Sequence, residues 1–171
     1  MLFKKSVMTA AVFAVGSVAV MSANAETTGS FNTTLTVDTY CQISTAATAI
    51  ALTTVNDGAA REGTSSIGVT CSKGTAYEIA LTPGNADVNG SGLLKVGGAA
   101  GQGIGIPYQL KQTTTKAVWG STLGVSGNAL SATGEGVRVP STHGITINIA
   151  DAATDVTPGN YIDTINIALT L

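Results

Sequence analysis

Histidine and tryptophan each occur once in this 171-residue chain, cysteine twice, and only 11% of the residues are charged. These shortages exclude most chemistry. His143 is the single imidazole, and no serine sits in a G-x-S-x-G turn, so a serine triad has no support. Two thiols and one imidazole are too few for a zinc site. The carboxylates are equally sparse. Asp57 with Glu62 and Asp151 with Asp155 lack the ligand density of a calcium loop, and Asp163 has no counterpart for a glycosidase pair. Gly101-Gln102-Gly103-Ile104-Gly105 is superficially like a phosphate-cradling loop, but the next segment, Ile106 to Gln112, reads as a strand and not a helix. The expectation is therefore a protein without catalysis, cofactor or metal.

Basic charge is also scarce. Met1 to Ala25 has Lys4 and Lys5, an apolar run from Val7 to Val20, and Ala23-Asn24-Ala25 as a small-residue cleavage signal; it reads as an export leader, residues 1–25. Its removal leaves six basic against ten acidic residues, a formal charge of −4. That balance argues against nucleic acid or anionic lipid as a partner. No later apolar run is long enough for direct membrane insertion. In an exported chain the two cysteines most simply form one disulfide, Cys41 to Cys71.

What is abundant is the alternation of strands, with no convincing amphipathic helix after the leader. Ser65 to Ser72 and Ala76 to Thr82 are clean strands joined at Lys73-Gly74 and are expected to form a hairpin. Ile43 to Val55 reads as an interrupted strand before the turn Asn56-Asp57-Gly58, and Leu93 to Val96 as a brief one. Ile106 to Gln112 and Ile145 to Ile149 alternate clearly, Val137 and Val139 lead into an edge-favouring Pro140, and Leu123 to Glu135 is loop with one possible short strand. His143-Gly144 reads as a solvated turn, Trp119 as a core plug, and Asp163 as a carboxylate accepting from backbone amides at a sheet end.

Two stretches frame this body. Ser30 to Val37 places Phe31, Thr33, Leu35 and Val37 on one face and Asn32, Thr34 and Thr36 on the other, a half-buried strand whose core is either its own or a neighbour's. Tyr161 to Leu171 places Tyr161, Ile165, Ile167, Leu169 and Leu171 together, and the chain stops there. If the sandwich needs one strand more, that strand comes from elsewhere.

The run Gly29-Ser-Phe-Asn-Thr-Thr-Leu-Thr-Val37, Cys41-Gln-Ile43, Ser66-Ile-Gly-Val-Thr-Cys71, Gly74-Thr-Ala-Tyr-Glu-Ile-Ala-Leu81, Pro107-Tyr-Gln-Leu110, Trp119-Gly120 and Pro158-Gly-Asn-Tyr-Ile-Asp-Thr-Ile165 resembles the spore coat protein U domain family, which includes subunits of archaic chaperone/usher pili. The resemblance implies an all-β, incomplete immunoglobulin-like antiparallel sandwich of about six strands over residues 41–171, preceded by a donor-strand extension at 26–40. It further implies partners: identical or related pilin subunits, a periplasmic chaperone and an outer-membrane usher. The chain would then pass through the periplasm to a pilus on the cell surface, supporting adhesion and biofilm formation. By position, Phe31, Thr33, Leu35 and Val37 would be donated, and Ile165, Ile167 and Leu169 would line the accepting groove. Thr33 departs from the pattern, being smaller and more polar than an aliphatic residue. A secreted coat protein and a sugar-binding β-sandwich module are the alternatives.

Overall fold

The computed structural model describes residues 28–52, 59–98, 100–101, 103–150 and 155–171. The leader, the Asn56-Asp57-Gly58 turn and Asp151 lie outside them. The chain divides into two units, residues 1–36 and 37–171. In the first, residues 28–36 carry no regular secondary structure, and Phe31 and Leu35 are 90% and 86% exposed.

The second unit is all-β. Its strands are β1 (Cys41–Thr45), β2 (Arg61–Cys71), β3 (Ala76–Thr82), β4 (Ser91–Val96), β5 (Ile106–Gln112), β6 (Leu130–Thr133), β7 (Ser141–Ile149), β8 (Tyr161–Ile162) and β9 (Asn166–Thr170). They form a large sheet of order β1-β2-β7-β5-β4-β8 and a small sheet of order β6-β3-β9, with every pair antiparallel. In immunoglobulin lettering, β1-β2-β7-β5 is the A-B-E-D sheet and β3-β9 is C-F. No strand among the described residues holds the G position, beside the second edge of β9.

Period-two alternation builds the core between these sheets. Ile67, Val69 and Cys71 of β2, Ile106, Tyr108 and Leu110 of β5, and Ile145, Ile147 and Ile149 of β7 face Tyr77, Ile79 and Leu81 of β3. Trp119 is fully buried among them and donates its indole N–H to the Ile79 carbonyl at 2.8 Å. This is the plug expected from the sequence, and the bond satisfies the ring's one polar atom.

Five expectations are corrected. β2 and β3 do not form a hairpin: β2 pairs with β1 and β7, whereas β3 lies in the other sheet. Alternation fixes which face a residue occupies but not its partner strand, and Gly74, at φ 81°, turns the chain across the sandwich. His143 and Gly144 are not a turn but lie within β7. Val137 and Val139 belong to no strand, and of the described part of Ile43 to Val55, residues 43–52, only Ile43 to Thr45 is strand. The terminal stretch is two strands, β8 in the large sheet and β9 in the small one.

Cys41 and Cys71 are register partners in β1 and β2 and are joined as a disulfide, with Cα atoms 4.1 Å apart. Tyr40 and Ser72 continue that pairing, the Ser72 amide donating to the Tyr40 carbonyl and the Tyr40 amide to Ser72 Oγ. Closing a loop across a sequence separation of 30 stabilises by about 3.5 kcal/mol on the chain-entropy account. Cys41→Ser/Cys71→Ser is therefore expected to lose about that much in urea unfolding, and reductant is expected to shift the parent chain to the same midpoint.

Candidate acceptor groove

β9 has β3 on one side, with Leu81 opposite Ile167 and Ile79 opposite Leu169. Opposed residues of an antiparallel pair share a face, so Ile167 and Leu169 turn inward with Leu81 and Ile79. Ile165, Ile167 and Leu169 pack half-buried against the core, while Asn166, Ala168 and Thr170 are exposed. The other edge of β9 has no ladder partner among the described residues.

A second half-buried apolar row lies on residues 46–52, which have no strand assignment. Ala47, Ile50 and Leu52 pack on the core there. Ser65 holds the segment, its hydroxyl donating to the Thr48 carbonyl at 2.8 Å. Gly63 makes the close approach possible, because a Cβ at that position would come within 2.3 Å of Ile50 Cγ2. Gly63 pairs with Ile147, so it belongs to the inner face of β2, and residues 46–52 pass over that face.

A cavity of about 310 Å³ opens where this segment meets the large sheet, lined by Ile50, Leu52, Ile106, Ile147, Ile149 and Tyr161 among others. Arg61 is its charged lining residue, and the guanidinium donates to the Ala60 carbonyl at 3.0 Å. Among the described residues no buried side-chain nitrogen or oxygen lacks a partner, and none form a metal-ligating cluster. Such walls suit an apolar ligand.

The crossover from β8 to β9 is fastened by Asp163. Its Oδ2 accepts from Tyr108 Oη at 2.7 Å and from the Gly84 amide at 3.4 Å, and its Oδ1 accepts from the Thr164 amide at 2.8 Å. The backbone contacts were legible in the sequence; the phenol was not. Burial, with the adjacent carboxylate, pushes the Tyr108 hydroxyl far above its ordinary value, so the donor keeps its proton.

On the donor face, Phe31, Thr33, Leu35 and Val37 are all exposed and carry no strand assignment. An extended segment with one apolar face is a strand only when a ladder receives it.

An immunoglobulin-like sandwich with an unpaired F-equivalent edge above apolar core residues defines the class of this protein. Over residues 27–168 the chain matches the Spore Coat Protein U domain, and it belongs to that family. No curated protein matches it. Among solved structures it is similar to a chain of the CsuC-CsuE chaperone-tip adhesion subunit pre-assembly complex from archaic chaperone-usher Csu pili of Acinetobacter baumannii, at 21% identity and a TM-score of 0.50, covering 80% of this chain and 40% of that one. A chain of a chaperone-tip adhesin complex of CFA/I fimbriae biogenesis is similar at 17% identity and a TM-score of 0.40, covering 82% and 40%. The chain thus spans about 40% of the length of each. At such identity the first likeness concerns the fold.

His143 corrects the solvated-turn expectation. It opposes Ile67 and so shares the inner face of the large sheet. Its Nε2 lies 2.8 Å from Tyr77 Oη, joining the two sheets. Burial lowers its pKa, so folding favours the neutral ring. The unfolded chain then binds more protons below about pH 6.5, and stability falls as pH drops from there toward the lower folded value. Urea midpoints at pH 7.5 and 5 are expected to differ more for the parent than for His143→Gln, which keeps a polar partner for Tyr77 and does not titrate.

Proposed function

We propose that this chain is the structural subunit of a cell-surface pilus, in which residues 30–37 of one copy occupy the G position beside β9 of the next. The observation that carries this reading is the strand order itself: A-B-E-D and C-F are present, and among the described residues β9 keeps one edge unpaired over a half-buried apolar row. The donor is dimensioned for the groove. Phe31 to Val37 presents four alternate positions on one face, as does Ile165 to Leu171, and each stretch spans roughly 20 Å in extended form.

Burying Phe31, Leu35 and Val37 contributes about 1.5–3 kcal/mol each, so on the order of 5–9 kcal/mol before ordering costs. Ladder hydrogen bonds add a smaller net amount and fix the register. A segment given to the next copy makes a head-to-tail contact that does not close on itself, and repetition gives a fibre.

Before assembly the groove needs cover, because an apolar edge strand invites aggregation. A periplasmic chaperone supplies that cover and an outer-membrane usher the exit, as the chaperone–subunit pre-assembly complex from chaperone-usher pili suggests by its likeness in fold. On the cell surface the fibre serves adhesion and biofilm formation. The role is structural, without catalysis or cofactor.

Leu35→Asp places a charge at the centre of the donor face. It is expected to abolish polymer in electron micrographs while leaving the chain exported and folded; fibres of ordinary length and number from this variant would contradict the proposal.

A further inference from the structure

Two stretches far apart in sequence, Pro107-Tyr108-Gln109-Leu110 and Tyr161-Ile162-Asp163-Thr164-Ile165, meet at one bond, and donor exchange as such does not require it. The last stretch changes sheets. Tyr161 and Ile162 pair with Val96 and Lys95 in the large sheet, and by Asn166 the chain pairs with Thr82 in the small one. Three residues, 163–165, make the crossing.

The geometry around Asp163 is built. Tyr108 opposes Gly92 across the β5–β4 ladder, and its ring lies over that glycine, where an added Cβ would fall 1.9 Å from Cζ. The phenol therefore passes over β4 and reaches the crossover with its hydroxyl in the interior; Tyr108 is 4% exposed. Gly84, the second donor to the same oxygen, follows the end of β3. One carboxylate thus ties the large sheet, through Tyr108, to the strand beside which β9 must lie.

The position matters as well. Asp163 stands between Tyr161, which lines the cavity, and Ile165, the first inward residue of the groove wall. Among the described residues β9 has one ladder neighbour, and a strand held on one side frays easily. A wall that must be ordered by its ligand weakens binding by the cost of that ordering.

We infer that the Tyr108–Asp163 hydrogen bond is a pin that holds β9 as a preformed template, with its free edge and its inward row set before the donor strand arrives. The binding part of this inference rests on the donor-strand reading above. Tyr108 and Asp163 are positioning residues, and they act through β9.

Two measurements on the full chain carrying Leu35→Asp, whose own segment then does not compete, test the pin. Tyr108→Phe removes the donor hydroxyl and Asp163→Leu, close in size, removes the acceptor carboxylate. In hydrogen exchange each is expected to speed the amides of residues 166–170 at least tenfold, with the β2–β7 ladder unchanged. Val69→Ala, destabilising but in β2 of the large sheet, is expected to show no such selectivity. A labelled peptide of residues 28–39 is expected to dissociate at least fivefold faster from either variant than from the parent, and no faster from the double variant than from the singles. Exchange that rises uniformly or not at all overturns the pin, as does unchanged dissociation from a chain whose β9 has loosened. Failure of the peptide to bind the Leu35→Asp parent overturns the donor-strand reading instead, and the exchange result alone then decides whether β9 is pinned.

Discussion

Backbone amides and carbonyls above an apolar core must be paired, and the free edge of β9 is where the described residues leave that demand open. Much of the rest of the body holds that edge in place. β3 supplies its one ladder, Trp119 packs behind β3 and bonds to it, and Asp163 fastens the turn into it from the far sheet. Residues 46–52 bring a second apolar row over β2, held at Thr48 by Ser65 and admitted by Gly63. Among the described residues every buried side-chain nitrogen and oxygen has a hydrogen-bond partner.

Polymerisation through such an edge separates two requirements that an ordinary sandwich satisfies together. The body needs enough core to hold its shape alone, and it has this in the isoleucine rows of β2, β5 and β7 against β3. On the proposed reading the last strand's worth of burial is deferred to a neighbour, so that assembly and completion of the fold become one event. The disulfide at Cys41–Cys71 stands four residues beyond Val37 and staples the first strand of the body to its second. Tension along a fibre would reach the body at that staple.

What was legible in the sequence was chiefly periodic. Inward rows such as Ile67-Val69-Cys71, Ile106-Tyr108-Leu110 and Ile145-Ile147-Ile149 announce themselves at period two, and so did the disulfide and the buried tryptophan. Partner choice was not legible, because β2 and β3 alternate identically whether they pair or lie in opposite sheets. His143 was misread through the glycine after it, although counting back by twos from Ile145 places it on the inner face beside Tyr77. The break of the last stretch at Asp163 had one signal, a carboxylate on an otherwise apolar face. Its partner Tyr108, 55 residues away, could be found only once the sheets were folded together.

The most direct test is mixed-label NMR of the assembled protein, with one pool of subunits carrying ¹³C and the other ¹⁵N. Cross-peaks between ¹³C side chains of residues 31–37 and ¹⁵N amides of residues 166–170 that appear only across the two pools are the expected result. Finding those contacts within a single copy, or finding the amides of 166–170 beside some other segment, would contradict the claim that each subunit is completed by the next.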